Sequence, residues 1–270
     1  MDFSPHPGAF LFLWVRISVG MIIFAPHLKT MKKRLYIKRI FAAFCLMFLT
    51  VGGFLFWASS YIDSGVYIKT LCKGSDDRRC VSLTFDDGPD EFMTPKVLDI
   101  LKENDIKATF FIIGSKAEKH PELVSRIIDE GHLIGSHSWD HRVNFPVQPS
   151  DVMCQELSKC EGFIFELTGK SMLFFRPPCG ITNPLVADAV EQMGYHTIGW
   201  SIRSLDTKKK KSRAEILGRI SKRLHNGAVI LLHDRCDGAD ELLRSLLTLL
   251  QENDYDVIPL DDLLGVEVYG

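Results

Sequence analysis

Short runs of β-branched and aromatic residues alternate with longer amphipathic segments from about residue 75 to the end of the chain. In the amphipathic segments, such as residues 242–250, apolar side chains recur at i, i+3 and i+4, which is the period of one helix face. Strands that alternate with helices indicate a parallel sheet with crossover helices. We predict seven strands, at residues 81–85, 108–113, 132–136, 173–176, 195–200, 228–232 and 256–259.

The predicted helices begin at proline and cap residues. Thr94 followed by Pro95 predicts an N-cap and a first helical position, and Pro121 predicts a second helix start. A third helix carries the apolar residues between Ile216 and Leu224. No repeat, low-complexity segment or linker interrupts residues 75–270, so we expect one domain there. The pattern alone fits either a seven-stranded β/α barrel or an open α/β sheet.

The first 62 residues follow a different pattern. Residues 40–62 contain no charged side chain and are long enough to cross about 30 Å of hydrocarbon as one transmembrane helix. The basic residues before this run place residues 1–39 in the cytoplasm and the following chain outside, by the positive-inside rule. These basic residues are Lys29, Lys32, Lys33, Arg34, Lys38 and Arg39. An earlier apolar stretch, residues 7–28, is interrupted by Arg16 and is not expected to span.

Two further interpretations of this leader stay open. Met31, followed by Lys-Lys-Arg and an apolar run, looks like the start of a complete anchor sequence, so we hypothesise that translation starts there. The small residues Ala58, Ser59 and Ser60 would suit signal-peptide cleavage, which would release a secreted protein. The apolar run is longer than the usual core of a signal peptide, and this favours an uncleaved membrane anchor.

The composition separates the leader from the globular part. Of the 270 residues, 46% are hydrophobic and 24% are charged, which excludes a disordered chain. The first 60 residues hold seven Lys or Arg and one acidic residue, which leaves 25 basic and 33 acidic residues for the rest. This acidic globular part argues against nucleic acid as a partner. An outside location permits disulfides, and Cys72 and Cys80, which flank a polar loop, are a candidate pair.

Polar side chains follow five of the predicted strands, at the point where each strand ends. The carboxyl ends of parallel strands meet at one rim, where β/α folds hold their chemistry. The adjacent carboxylates in the run from Asp86 to Pro89 repel each other unless a cation shares the site, although Asp-Gly and Pro also form ordinary turns. His137 and His141 are four residues apart, and together with one carboxylate they make a catalytic zinc set. Because an isolated pair at this spacing also occurs by chance, the joint pattern carries the prediction.

Five motifs carry a family resemblance. They are TFDDGP at residues 84–89, HSWDH at 137–141, RPPCG at 176–180, WSIRSLD at 200–206 and LLHD at 231–234. In this order and spacing, the chain resembles the polysaccharide deacetylase family, also called carbohydrate esterase family four. Members have a distorted β/α barrel, so the expected fold class is α/β: a distorted seven-stranded β/α barrel preceded by one N-terminal transmembrane helix. The resemblance also implies removal of acetyl groups from chitin-like polymers, exported polysaccharide or peptidoglycan.

The resemblance implies a metal centre and its base. Asp87, His137 and His141 are expected to bind a divalent metal, Zn²⁺ in the first place, with Co²⁺ or another divalent ion as alternatives. Asp86 is expected to take a proton from the water that attacks the amide carbonyl. Arg176 is expected to form an ion pair that holds Asp86 ionised and oriented. These roles match the chemistry that a carboxylate beside a metal can perform.

The remaining implied roles concern the leaving group and the substrate. His233 is expected to act as the general acid that protonates the leaving amine, paired with Asp206, which raises its pKa. The backbone N–H of Cys179 is expected to bind the oxyanion. Leu231 is expected to line the pocket for the acetyl methyl group, and Pro178 to contact substrate beside Cys179.

Three departures from the family pattern bear on the substrate. Cys179, Arg203 and Thr207 stand where the family frequently has an aromatic residue, Asp and Trp. These changes affect substrate preference more than chemistry. The run from Lys208 to Lys211 is expected to be a solvated loop or, because it lies beside the rim, a contact for an anionic polymer.

We therefore expect a membrane-anchored, outward-facing N-deacetylase that acts on an amino-sugar polymer. Two alternatives stay open, an O-acetyl esterase on a polysaccharide and a catalytically inactive glycan-binding protein. The sequence does not define the oligomeric state.

Overall fold

The computed structural model describes residues 8–270, with side chains described from residue 33 onward. The chain divides into two compact units, with the boundary between Phe56 and Trp57. Two expectations fall outside the residues whose side chains the structure describes. They are the translation start at Met31 and the apolar stretch at residues 7–28.

One long helix, α1 (Gly8–Ser60), accounts for the leader. Its segment Lys33–Ser60 contains an 18-residue window with a mean hydropathy of 2.2 and is long and apolar enough to cross a membrane. A signal sequence near an N-terminus meets the same criterion, so both interpretations of the leader stay open. The helix ends two residues before the predicted span ends, and Ile62 instead begins a short 3₁₀ turn, Ile62–Ser64.

The second unit, Trp57–Gly270, contains one sheet of nine parallel strands. The strands are β1 (Thr70–Leu71), β2 (Cys80–Asp86), β3 (Thr109–Ile112), β4 (Leu133–Ser136), β5 (Phe174–Phe175), β6 (His196–Ile198), β7 (Ile202–Arg203), β8 (Ala228–His233) and β9 (Asp256–Val257). Their order in the sheet is β1-β6-β5-β4-β3-β2-β8-β7, and β9 also pairs with β2. Each of the seven predicted strands is present.

The sheet contains two strands more than the seven expected, β1 and β7. Each of these two strands has only two residues, too few to show an alternating pattern in the sequence. No hydrogen bonds join β1 to β7 in the described part of the chain, so the sheet is a curled half-barrel rather than a closed cylinder. The distorted β/α architecture itself is confirmed.

Helices connect the parallel strands. They are α2 (Met93–Glu103), α3 (Gly114–Ala117), α4 (Pro121–Asp129), α5 (Ser150–Thr168), α6 (Pro184–Met193), α7 (Arg213–Ser221), α8 (Ala239–Glu252) and α9 (Leu260–Leu264). Pro121 is the first residue of α4, as predicted. Thr94 is not an N-cap, because α2 already begins at Met93. The predicted third helix ends at Ser221, before Leu224.

Both faces of the sheet are buried, and neighbouring residues of one strand belong to different clusters. Phe110 of β3 packs in the larger cluster with the apolar faces of α2 and α8, whereas Phe111 packs in a smaller cluster with Leu260 of α9. Burial on both faces explains why these strands appear in the sequence as continuous apolar runs. The covered sheet leaves the carboxyl ends of the strands as the place for polar side chains.

Cys72 and Cys80 are free thiols, as are all seven cysteines, which lie in the described part of the chain. The candidate disulfide is therefore wrong. Cys72 directly follows β1, which pairs with β6, whereas Cys80 begins β2. Since β6, β5, β4 and β3 lie between β1 and β2 in the sheet, the polar loop spans two distant positions instead of closing a local turn.

Candidate active site

The loops that follow β2, β4 and β8 bring the polar residues of the motifs together. β2 ends at Asp86, β4 ends at Ser136 immediately before His137, and β8 ends at His233. β3 separates β2 from β4, and β8 pairs with the other side of β2. Parallel strands point the three loops at the same rim, so chain segments far apart in sequence share one site.

Asp87, His137 and His141 form a compact cluster of potential ligand atoms, all within 4.8 Å of one another. The Oδ1 atom of Asp87 lies 3.4 Å from Nε2 of His137 and 3.4 Å from Nε2 of His141. Asp87 has φ of +72° and His141 has φ of +51°, in the left-handed region that most side chains avoid. Such backbone conformations concentrate at functional sites, where the surrounding structure holds them in place.

Neighbouring groups orient these three side chains. His137 donates from Nδ1 to the carbonyl of Arg176 over 2.7 Å, which leaves its Nε2 facing the cluster. The Oδ2 atom of Asp87 accepts a hydrogen bond of 2.8 Å from Nε of Arg235. Lys116 donates from Nζ to the backbone carbonyl of Asp87 over 2.7 Å. The carboxylate of Asp87 is thereby held with one oxygen bound by Arg235 and the other directed at the imidazoles.

The cluster fits a divalent cation. Oδ1 of Asp87 is buried and has no hydrogen-bond partner among the described residues, an arrangement that costs free energy unless another group satisfies it. One carboxylate oxygen and two imidazole nitrogens are a donor set typical of catalytic zinc, with a coordination position left for water.

The electrostatics of the cluster also favour the ligand forms. Burial raises the pKa of Asp87, but its interactions with His137, Arg235 and His141 outweigh burial and hold the pKa far below its ordinary value. Burial, together with repulsion from His137, lowers the pKa of His141. An ionised Asp87 and a neutral His141 are the states that bind metals.

Asp86 lies between this cluster and a buried arginine. Its Oδ1 lies 2.6 Å from Nη1 of Arg176, and its Oδ2 lies 3.9 Å from Nε2 of His137. Arg176 is fully buried and also donates to Oγ1 of Thr84 and to the carbonyls of Ile198 and Gly199. Together these hydrogen bonds fix the position of the Arg176 guanidinium group. Asp86 is therefore held as an oriented carboxylate beside the cluster.

His233 and Asp206 form a second polar pair at the rim. Nδ1 of His233 lies 2.8 Å from Oδ1 of Asp206, and the His233 backbone N–H donates to Oδ2 of the same carboxylate over 2.8 Å. Burial lowers the pKa of His233, but the hydrogen bond and charge of Asp206 outweigh it, so the net pKa is raised. Nε2 of His233 lies 4.0 Å from Oδ2 of Asp87 and is the ring nitrogen available to a bound molecule.

Asp234 supports the loop that carries the two aspartates. Its Oδ2 accepts a hydrogen bond of 2.5 Å from Thr94, whose hydroxyl in turn accepts from the backbone N–H of Asp90 over 2.7 Å. Its carboxylate packs against Gly88, where a Cβ atom would collide with it. Burial raises the pKa of Asp234 to about 7. Thr94 thus serves the active-site loop and not the helix cap that the sequence predicted.

The residues expected to contact substrate lie beside this rim, and their roles stay predictions. Pro178 and Cys179 belong to a short 3₁₀ turn, Pro178–Gly180, in which Cys179 is exposed and has φ of +59°. Leu231 is buried on β8, opposite Arg203 of β7. Sequence reasoning missed Arg235, Lys116 and Thr84. For Arg235 a signal existed, because it directly follows the LLHD motif.

A family model described as polysaccharide deacetylase matches residues 73–198. The chain is 34% identical over 212 residues to peptidoglycan-N-acetylmuramic acid deacetylase PdaA of Bacillus subtilis, covering 75% of this chain and 80% of that protein. It is 35% identical over 209 residues to peptidoglycan-N-acetylglucosamine deacetylase PgdA of Listeria monocytogenes, covering 76% of this chain but only 43% of that protein. The chain belongs to the polysaccharide deacetylase family.

A solved structure shows the same fold. The crystal structure of the Bc1960 peptidoglycan N-acetylglucosamine deacetylase, bound to a hydroxamate-type benzamide, matches with a TM-score of 0.69 and 32% identity. The match covers 74% of this chain and 94% of that one. The family resemblance that the five motifs carry is therefore confirmed, and with it the α/β fold class.

Proposed function

We propose that the protein is a metal-dependent hydrolase that removes N-acetyl groups from an amino-sugar polymer of the cell wall and releases acetate. The relatives named as peptidoglycan deacetylases support peptidoglycan as the substrate class. The observation that carries the proposal is that two differently paired groups, Asp86 with Arg176 and His233 with Asp206, flank one metal-binding cluster. Hydrolysis of an amide needs this combination of a base, an acid and an electrophile.

The residues divide the reaction between them. A divalent cation held by Asp87, His137 and His141, with zinc as the first choice, would polarise the acetyl carbonyl and lower the pKa of the attacking water. Asp86 takes the proton that the water loses as it adds to the carbonyl carbon. Arg176 holds Asp86 in position and orients it toward that water.

His233 completes the reaction at the leaving group. It donates a proton to the amine nitrogen as the carbon–nitrogen bond breaks, which gives acetate and a free amino sugar. Asp206 holds its ring and favours the protonated form that the step requires. We further propose that the backbone N–H of Cys179 binds the oxyanion, with Pro178 and Leu231 beside the acetyl group.

The test is acetate release by the full-length protein after loading with zinc or cobalt. Chitooligosaccharides and peptidoglycan are the substrates, and His137→Ala is the control that removes one ligand. Release that requires metal and disappears in the control supports the proposal. Release from O-acetylated xylan but from neither amide substrate would establish an esterase instead. Stoichiometric metal without turnover on any substrate would indicate a glycan-binding protein.

We also propose that this site lies on the extracytoplasmic face, where peptidoglycan is found, with α1 as an uncleaved anchor. The apolar run within the segment Lys33–Ser60 and the six basic residues between Lys29 and Arg39 support this orientation. Protease treatment of intact cells should digest the catalytic unit, and N-terminal sequencing of the mature protein should recover residues before Lys33. A mature chain that begins near Ser60 would show a cleaved signal peptide and a secreted enzyme.

A further inference from the structure

An open cleft of about 620 Å³ lies beside the proposed active site. It is lined by the loop that leads from β7 to α7 and by the residues between β8 and α8. Asp206 and Arg235 line the cleft and also contact the site, through His233 and Asp87 respectively. The cleft therefore opens next to the position where the amide bond would be cut.

Three lysines of the β7–α7 loop, Lys208, Lys209 and Lys211, line this cleft. None of the three has an ion-pair partner among the residues that the structure describes. The loop itself is ordered by backbone turns, with Lys208 N–H bonded to the carbonyl of Leu205 and Lys211 N–H bonded to that of Lys208. We call Lys208, Lys209, Lys211 and Arg235 the cationic cleft.

Two of the three acidic residues in the same cleft are paired with groups other than these lysines. Asp206 forms an ion pair with His233, and Glu241 forms an ion pair with Arg213 at 2.7 Å. Asp237 is the one carboxylate of the lining without a partner in the described part of the chain. Like charges gathered around one concave surface raise the local concentration of anions there. The globular part as a whole is acidic, so this positive surface is a local exception.

Arg235 connects the cationic cleft to the metal-binding cluster. Its Nε binds Oδ2 of Asp87, while its side chain remains 42% exposed on the cleft side. A molecule in the cleft can therefore be part of the same polymer whose acetyl group lies at Asp87 and His233. An N-acetylglucosamine homopolymer is uncharged and has no group that needs several cations, whereas lysines bind carboxylates directly.

We propose that the cationic cleft binds carboxylate groups of the glycan substrate, and so selects carboxylated strands over neutral ones. The proposal rests on the proposed function and specifies its substrate class. Peptidoglycan carries carboxylates in two places, on the lactyl ether of its muramic acid and on its stem peptides. A lactyl carboxylate and a stem-peptide carboxylate would form the same kind of ion pair with lysine. The substrates of the test distinguish the two.

The test compares two triple variants of the full-length protein. The first is Lys208→Gln, Lys209→Gln, Lys211→Gln, which neutralises the lysines of the cleft. The matched control is Lys69→Gln, Lys210→Gln, Lys222→Gln, which removes the same charge from exposed positions that do not line the cleft. The substrates are chitooligosaccharide, glycan strands freed of peptides by an amidase, and intact peptidoglycan.

The measured quantity is the ratio of kcat/KM on a carboxylated substrate to kcat/KM on chitooligosaccharide. We expect the cleft variant to lower this ratio about five- to tenfold, through a higher KM, because each exposed lysine–carboxylate contact contributes modestly. The loss should shrink at high salt, where such contacts are screened. A loss on peptide-free strands assigns the lactyl carboxylate, and a loss confined to intact peptidoglycan assigns the stem peptide. A ratio equal to that of the control variant would overturn the proposal.

Co-sedimentation with insoluble peptidoglycan separates this proposal from the proposed reaction. Binding that weakens with salt and in the cleft variant, but not in the control variant, supports the cationic cleft even if no acetate is released. Binding that is the same in both variants overturns it, even if the protein is an active deacetylase.

Discussion

Two adjacent carboxylates take different roles because the backbone turns between them. Asp86 is the last residue of β2 and points to Arg176, whereas Asp87 has a left-handed conformation and points to His137 and His141. The same pair in an extended strand would place the two side chains on opposite faces of the sheet. The turn thus allows the proposed base and a proposed metal ligand to share one rim.

This division predicts different losses for the two aspartates. Asp86→Asn keeps the size of the side chain but removes the base, so we expect normal metal content and a fall in kcat of about 10²–10⁴. Asp87→Ala should lose the metal itself, because it removes the oxygen that faces both imidazoles. Metal content per protein and kcat on chitooligosaccharide are the measurements. An Asp86→Asn protein as active as wild type would show that the base is another group.

Arg176 is expected to matter for stability as well as for rate. Arg176→Met leaves Asp86 buried without its partner, so the free energy of unfolding should fall by about 3–5 kcal/mol. Adding Asp86→Asn should recover part of this loss, since the unpaired charge is then removed. Arg203→Met is the control. The guanidinium groups of Arg176 and Arg203 both lie over the ring of Trp200, but Arg203 is exposed. Urea unfolding measures all four proteins, and equal stabilities for the two methionine variants would contradict the expectation.

His132 is expected to make the fold sensitive to acid. Burial, with the positive charges of Lys107 and Arg126, lowers its pKa to about 4 in the folded state, although Glu130 opposes this. Its Nδ1 accepts from the backbone N–H of Ala108, which requires the neutral ring. Because the unfolded chain takes up this proton near pH 6.5, the stabilisation is complete above that pH and is lost as the pH falls toward 4.

The measurement is urea unfolding at pH 7 and pH 4.5. In wild type, His132 should contribute about 2 kcal/mol to the loss of stability between these two values. His132→Asn retains an acceptor for Ala108 without a titrating ring, so the loss should shrink by that amount. His225→Asn, at a position less buried than that of His132, is the control. An undiminished loss in His132→Asn would show that other groups cause the acid sensitivity.

At the scale of single residues, the sequence predicted most of the site. Asp87, His137 and Arg176 could be found because strand ends converge and because charged residues next to buried strands need partners. Arg235 and Lys116 were missed because their roles depend on distances across the fold, and surface cations are too common to single out. The same reasoning failed for Thr94. Its position before Pro95 suits a helix cap, but its hydroxyl donates a hydrogen bond to Asp234.

At the scale of elements, the sequence predicted seven of the nine strands, including the two-residue strands β5 and β9, and missed β1 and β7. β2 and β8 have seven and six residues, enough to show a buried run. β1 and β7 have two residues each, so tertiary pairing defines them and no local pattern does. Helix starts were predictable where proline occupies the first position, as at Pro121.

The end of α1 belongs to the catalytic unit. Ala58 is fully buried, and its carbonyl accepts a hydrogen bond of 2.8 Å from Oγ of Ser64. The carbonyl of Ser59 accepts from the backbone N–H of Thr182 over 3.0 Å, close to the motif that contains Arg176. A protein that begins at residue 64 would lack these contacts, so they extend the folded unit beyond the sequence-based boundary at residue 75.

We expect Ala58→Asp to destabilise the catalytic unit. The substitution buries a carboxylate without a partner, which should lower the free energy of unfolding by about 2–4 kcal/mol. Ser60→Asp places the same charge two residues later at an exposed position and should change little. Thermal unfolding of the full-length protein measures both. Equal melting temperatures for the two variants would show that the end of α1 contributes nothing to the fold.

At the scale of the whole molecule, the half-barrel joins parts of the chain that local sequence cannot join. The metal-binding cluster combines the loop after β2 with the loop after β4, and β3 lies between them. Arg176, the partner of the proposed base, follows β5, and the proposed acid His233 ends β8, so the site depends on the order of strands across the sheet. The motifs predicted that these groups meet, but only the curled sheet explains how.

A cation at this cluster should therefore stabilise the fold, because it would link two loops that are close only in the folded state. Zinc at about 100 times its dissociation constant should add about 2.7 kcal/mol to the free energy of unfolding, which corresponds to a rise in Tm of about 5–10 °C. Chelation should reverse the rise. His137→Ala should abolish it, whereas His225→Ala, at a half-buried position outside the cluster, should keep it. A rise that persists in His137→Ala would place the stabilising cation elsewhere, and the assignment of this cluster as the metal site would then be wrong.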